Sequence, residues 1–321
     1  MATTARQLVQ VLETEPRRAA SVYATSATSA TSMDAVSEEE RNALFTALAR
    51  RDGAAEAARL VQQSRHKSAL VNAVSPAAVD FGRTPLHVLV LAFPARSAAG
   101  DATAAARVEL LQLLLESGAN VNAADRLEET PFAMAVADGK TRVVEELLAT
   151  AGKVRRFGNA GSQRQRTAVP DLRRLNRNGE NVLFAACERG DAALLQQLLA
   201  FAHLVEDTAG AEVTPPPPLL SALLNQLNHS RETPLVHLVR HGGDAAGHVE
   251  VVRLLLAENH RPVRGPSGDN AARRPTMECV TALDLAITDA EGNDALTLAR
   301  RYELRRIAAL LEAEKASQPD F

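Results

Sequence analysis

The sequence predicts an all-α repeat solenoid, with short helices in antiparallel pairs stacked along residues 36–316. Two observations carry that expectation. A triplet of a capping residue, a helix-compatible residue and a large apolar residue recurs seven times, and paired leucines follow most of its copies. The composition agrees: 46% of the 321 residues are hydrophobic, yet only 3% are aromatic and none is Trp. Ala, Leu and Val suit closely stacked helices, whereas a β-sandwich asks for more β-branched and aromatic side chains.

The N-terminal residues 1–35 come first. A helix is expected over Ala5–Leu12, followed by a flexible Ser/Thr/Ala-rich linker over Ala24–Ser32. Arg6, Arg17 and Arg18 give this stretch a mild likeness to an organellar transit peptide, but Glu13 and Glu15 interrupt it. The two cysteines, Cys187 and Cys279, cannot make a disulfide framework, so a reducing compartment is expected. No apolar run reaches the roughly 18 residues of a membrane span. The net charge of −3 does not mark a nucleic-acid binder.

The triplets are Asn42-Ala43-Leu44, Thr84-Pro85-Leu86, Thr130-Pro131-Phe132, Asn181-Val182-Leu183, Thr233-Pro234-Leu235, Thr281-Ala282-Leu283 and Asp294-Ala295-Leu296. Thr, Asn and Asp accept from a free backbone N–H at a helix start. Proline's fixed φ suits the first helical position, and the third residue opens the buried stripe. Each triplet is therefore read as a helix start. Five residues after the cap stand Ala47, Ala135, Ala186, Ala286 and Ala299, small enough for a neighbouring helix to approach. Nine after it stand Gly139, Gly190 and Gly242, where a two-turn helix ends in a left-handed residue. The second helix carries Leu114-Leu115, Leu147-Leu148, Leu198-Leu199, Leu255-Leu256 and Leu310-Leu311. Gly82, Gly179 and Gly292 lie two residues before a cap, where the chain must turn.

Thr84-Pro85-Leu86-His87, followed by Gly118-Ala119-Asn120-Val121-Asn122-Ala123, resembles the ankyrin signature, as does Gly247-His248-Val249-Glu250-Val251-Val252. The resemblance covers roughly residues 42–314. It implies an ankyrin-repeat solenoid of six to seven helix-turn-helix repeats, joined by projecting β-hairpin loops, each burying its apolar face against its neighbours. It also implies that the His87 imidazole hydrogen-bonds between adjacent loops. The sequence departs from the family in spacing. Successive caps are 42, 46, 51, 52 and 48 residues apart, against about 33 in the family. Insertions are therefore expected near 92–105, 152–178, 201–228 and 259–278, with a further one over Gln63–Ala78 and a short tail at 317–321. The interval from Thr281 to Asp294 is only 13 residues, which leaves six or seven repeats open.

Catalytic and metal chemistry is not nominated. Gly139-Lys140-Thr141 ends like a phosphate loop, but Met134 stands where that loop needs its first glycine. Cys187 has no His or Lys within ten residues to activate it and reads as core filler. His237, one place later in its unit than His87, is read as structural; His229, His241, His248 and His260 are scattered through the fifth unit, and the acids Glu232, Asp244, Glu250 and Glu258 are expected to form no tight cluster with them. No cofactor, metal or small-molecule substrate is expected.

The segment 152–178 holds Lys153, Arg155, Arg156, Arg164, Arg166, Arg173, Arg174 and Arg177 against Asp171 alone, eight minus one giving +7. Guanidinium groups suit carboxylates or phosphates through bidentate bonds, but Phe157 is the segment's only ring, so a base-stacking face is lacking. A solvated mobile loop, an arm gripping an acidic protein surface, and an RNA or phospholipid contact all remain open. Pro215–Pro218 and Leu219–Leu224 read as a stiff spacer and a short amphipathic helix, docking either on the solenoid or on a partner. The function expected is a non-catalytic protein-interaction scaffold or adaptor. It is placed in the cytoplasm, with the cytoskeleton or a large assembly as further settings and acidic protein surfaces as partners. The alternative is an RNA-associated protein using the 152–178 segment together with Arg261, Arg264, Arg273 and Arg274. The enzyme class is not favoured, because no pocket with perturbed acids and bases is nominated.

Overall fold

The computed structural model describes residues 36–77, 81–94, 102–157, 167–208, 218–260 and 282–317. Ser37–Phe321 form one compact unit. The N-terminal helix and linker, Arg164, Arg166, Cys279, Arg261, Arg264, Arg273 and Arg274 lie outside the described residues.

In chain order the helices are α1 (Glu38–Ala49), α2 (Ala54–Gln63), α3 (Lys67–Val71), α4 (Pro85–Ala92), α5 (Ala102–Glu116), α6 (Pro131–Ala137), α7 (Thr141–Phe157), α8 (Val182–Arg189), α9 (Ala192–Thr208), α10 (Leu219–Leu224), α11 (Pro234–His241), α12 (Ala246–Ala257), α13 (Ala295–Arg301) and α14 (Arg305–Ser317). They form six pairs: α1/α2, α4/α5, α6/α7, α8/α9, α11/α12 and α13/α14. The first helices pack in one row (α1, α4, α6, α8, α11, α13) and the second helices in another (α2, α5, α7, α9, α12, α14). Each pair buries its apolar stripe against the next, as the sequence predicts for an all-α solenoid.

The caps explain why the first helices start where they do. Thr130, Asn181, Thr233 and Asp294 each accept a backbone N–H of the first turn on the side-chain oxygen, and Thr84 is the N-cap of α4. The helices are only seven or eight residues long from α4 onward in this row. Such helices are marginal alone and depend on their neighbours. Ala47, Ala135, Ala186 and Ala299 are fully buried in the row, where the small side chain permits close helix approach.

Two triplets behave differently. Asn42 is exposed inside α1; that helix starts five residues earlier at Ser37, in a capping box with Glu40. Three acids in its first turn, Glu38, Glu39 and Glu40, favour the earlier start by facing the positive end of the helix dipole. Thr281 lies outside the described residues, and Ala282 and Leu283 after it are not helical. Leu283 is held by the Asn259 side chain, Asp284 turns back on Ala286, and Ala286 is exposed. Among the described residues the helix pairs number six. Gly242 also departs from expectation: its φ is −81°, and the left-handed residue is Gly243 at φ 112°.

The insertions near 152 and 201 begin as helix. α7 and α9 each run 17 residues, more than twice the length of the first helices they accompany. Leu219, Leu220, Leu223 and Leu224 of α10 are all buried, with the helix packed on α9. Glu206 caps α10 through the Leu220 N–H at 2.8 Å. The amphipathic segment therefore docks on the solenoid itself.

Candidate functional site

The loops before α6, α8, α11 and α13 are five-residue fingers with a shared bonding plan, and no described residue is in a strand. Each finger opens with an Asp or Asn whose side-chain oxygen accepts from the third and fifth backbone N–H. Asp125 holds Leu127 and Glu129, Asn176 holds Asn178 and Glu180, Asn228 holds Ser230 and Glu232, and Asp289 holds Glu291 and Asn293. The fourth residue has positive φ in every finger: Glu128, Gly179, Arg231 and Gly292 at 61°, 76°, 60° and 80°. Two of these are not glycine, so the Asx bonding rather than glycine alone enforces the turn.

Neighbouring repeats are joined by side chains that satisfy backbone groups of the next module. His87 is completely buried. Its Nε2 faces the Glu129 carbonyl at 3.1 Å and so donates, which makes Nδ1 the acceptor for the Thr84 N–H at 3.1 Å and hydroxyl at 2.8 Å. Burial pushes its pKa below the usual value, consistent with a neutral ring. The inter-loop role implied for His87 is thus seen. The last carbonyls of the first helices receive donors from the following repeat. Lys140 Nζ reaches Val90 and Leu91 at 2.7 and 3.1 Å, Arg189 reaches Ala137 at 3.1 Å, and His248 Nε2 reaches Glu188 at 3.0 Å. Lys140 is therefore a brace, not part of a phosphate loop. Three asparagines act as amide clamps. Asn72, Asn122 and Asn225 each donate Nδ2 to one carbonyl of the next loop and accept from the N–H two residues on (Gly118/Asn120, Val169/Asp171 and Ala282/Asp284).

The fingers of repeats four, five and six and the exposed side of α11 enclose an open groove of about 650 Å³. It is lined by residues including Glu180, His229, Glu232, His237, His241 and Glu291. At its floor Glu232, buried to 4% exposure, meets His237 Nδ1 at 2.9 Å and Arg240 Nε at 2.8 Å. Arg240 also pairs with Asp289 and, at 2.9 Å, with Glu291. Burial works to raise the Asp289 pKa, but hydrogen bonds from Asn293 and Glu291 outweigh it and hold the carboxyl below its usual range. Phe184 of α8 sits edge-on to His237, with ring centres 5.5 Å apart. The expectation that the acids of the fifth unit stay apart from its histidines is corrected here. Glu232, His237 and His241 bring ligand atoms within 4.8 Å of one another. Asp244, in contrast, accepts from the Arg306 and Ile307 N–H groups at the start of α14.

The basic segment divides into two parts. Lys153, Arg155 and Arg156 lie on α7, whereas Arg173, Arg174 and Arg177 lie in the loop and finger before α8. Arg155 is half-buried and its Nη2 donates to the Val205 carbonyl at 2.9 Å, bracing α7 on α9. Arg174 reaches the Asn122 carbonyl at 3.3 Å while remaining exposed. Lys153, Arg173 and Arg177 are also exposed. Cys187 is wholly buried, and burial pushes its thiol up to about 12, as expected of core filler.

A family model described as Ankyrin repeat matches residues 81–126. Among solved structures, the chain is similar to EF0377, an ankyrin-repeat protein (TM-score 0.52, 19% identity, covering 84% of this chain and 96% of that one). It is also similar to an ankyrin repeat domain from Acinetobacter baumannii AYE (0.54, 19%, covering 86% and 98%). A third similar chain comes from the Bd0816 predatory endopeptidase of Bdellovibrio bacteriovorus in complex with immunity protein Bd3460 (0.50, 16%, covering 88% and 100%). No curated protein sequence gives a significant match.

Proposed function

We propose that this chain, an ankyrin-repeat protein, is a non-catalytic scaffold or adaptor that holds another protein along its fingers and first helices. The observation that carries the reading is the groove of repeats four to six. It is open and polar, and it is walled by fingers each closed by its own backbone bonds, with the His229 N–H donating to the Asn178 carbonyl across two of them. Such a surface suits an extended partner better than a small molecule. The similar chain from the Bdellovibrio structure supports the reading, since there an endopeptidase is in complex with an immunity protein.

The basic side chains add a second contact. Lys153, Arg173, Arg174 and Arg177 are exposed, in a protein of net charge −3. Arg fits carboxylates bidentately, so the partner surface is acidic. Among the described residues of the segment the exposed large apolar side chain is Leu175, aliphatic rather than a stacking platform, which favours protein over RNA. The protein works in the cytoplasm, as part of a larger assembly.

The test is affinity purification of the intact chain beside Arg173→Glu/Arg174→Glu/Arg177→Glu. Arg155 is kept, because its loss would loosen α7. The reading expects a defined partner set that the triple variant loses. Identical partners in both would remove the basic contact, and ribonuclease-sensitive recovery that weakens steeply with salt would favour the RNA alternative.

A further inference from the structure

We propose that Glu232, His237 and His241 bind one divalent transition-metal ion of the Zn²⁺ class on the floor of the groove. His237 and His241 are four residues apart on α11, so both rings project from one helix face. Their centroids are 4.4 Å apart, tilted by 44°. Glu232 belongs to the preceding finger, which folds back over the same turn of helix. All three ligand atoms lie within 4.8 Å of one another. Four-coordinate zinc with bonds of about 2.0–2.1 Å needs donor atoms roughly 3.3 Å apart. The 2.9 Å from His237 Nδ1 to Glu232 Oε2 is already close to that spacing.

The surroundings fit the ion. Glu232 Oε1 is occupied by Arg240, whose charge is met by Asp289 and Glu291. Oε2 is steadied by Asn228 Nδ2 at 3.3 Å and faces His237. Glu232, Asp289 and Glu291 pair with Arg240, while Glu180 lines the groove and Glu188 faces His237, so carboxylates outnumber the guanidinium and a cation is attracted to the floor. His241 makes no ring hydrogen bond among the described residues and is exposed to the groove. Metal binding at His237 Nδ1 moves the ring proton to Nε2. That nitrogen faces Glu188 Oε2 at 3.8 Å, which supplies the outer carboxylate that ligating histidines commonly use. Two imidazoles and one carboxylate select Zn²⁺-like ions over Mg²⁺ or Ca²⁺. The fourth position opens on the groove and takes water.

The experiment titrates the full chain with Zn²⁺ by calorimetry and repeats it with Co²⁺, whose visible bands report four-coordinate geometry. His241→Ala is the clean variant, since the side chain is exposed and makes no hydrogen bond among the described residues. The proposal expects one Zn²⁺ per wild-type chain, a Zn²⁺-dependent rise in melting temperature, and an affinity at least about tenfold lower in His241→Ala, with the metal-free melting temperature unchanged. Absence of stoichiometric binding overturns it. So does equal binding by the variant (an adventitious ion only), displacement of Zn²⁺ by Mg²⁺, or a Co²⁺ spectrum of six-coordinate type.

Discussion

Replacing His87 with alanine should cut the junction between the second and third repeats. The ring is fully buried and bonds both the Thr84 cap and the Glu129 carbonyl of the next finger. Alanine leaves the Thr84 N–H without its partner, while the Glu129 carbonyl keeps only the Asp125 N–H at 2.9 Å. An unsatisfied buried backbone group costs about 1–3 kcal/mol. One orphaned donor together with the cavity left by a fully buried ring gives an expected loss of about 2–4 kcal/mol. Because repeat arrays are coupled chiefly to their neighbours, the urea transition should also broaden or divide. The ring adds a pH signature. Burial lowers its pKa, while in the unfolded chain it titrates near 6.5. Below that value the unfolded chain takes up a proton that the folded chain refuses. Wild-type stability therefore falls by up to about 1.4 kcal/mol per pH unit until the folded ring also protonates. The gap between wild type and His87→Ala should accordingly narrow from about pH 7.5 to about pH 5.5. Urea unfolding of the full chain, followed by circular dichroism at several pH values, reads both effects. A loss below about 0.5 kcal/mol, or a gap independent of pH, would refute the reasoning.

Three further outcomes follow from the junctions. Gly247→Ala would place its Cβ 2.4 Å from the Gly190 carbonyl oxygen, a backbone atom with little room to retreat; thermal melting should show a loss of about 1–3 kcal/mol. Asn225→Ala removes both bonds to the Ala282–Asp284 loop, so hydrogen exchange should quicken over that loop, with a stability loss of about 1–2 kcal/mol. Cys187, buried and with its thiol near 12, should resist alkylation in the native protein at mildly alkaline pH and react on unfolding. Rapid native labelling at Cys187, located by mass spectrometry, would contradict its placement in the core.

The fold was legible because its signals are local. A Thr, Asn or Asp cap followed by an apolar residue states a helix start, and five of seven such triplets are caps. Asn42 misled because the Ser37–Glu40 capping box starts the same helix a turn earlier without disturbing the register of Ala47. Thr281 misled because a cap-like triplet also fits a loop held from outside, here by Asn259 and Asn225. The groove chemistry was not legible. Glu232 precedes its helix, and only the folded finger brings its carboxylate onto the His237 ring. The available signal was the i, i+4 histidine pair next to an acid just before the cap. The basic segment was read from composition, which cannot say that Arg155 turns inward to the Val205 carbonyl while Arg177 stays exposed.

Site-specific photo-crosslinking in living cells tests the central claim most directly. A photoreactive residue at Ser230 sits on an exposed finger of the groove, and one at Glu109 sits on the exposed side of a second helix. A scaffold that grips its partner along fingers and first helices gives a discrete crosslinked adduct from position 230 and none from position 109. Adducts from 109 alone, or equal diffuse labelling from both, would contradict it.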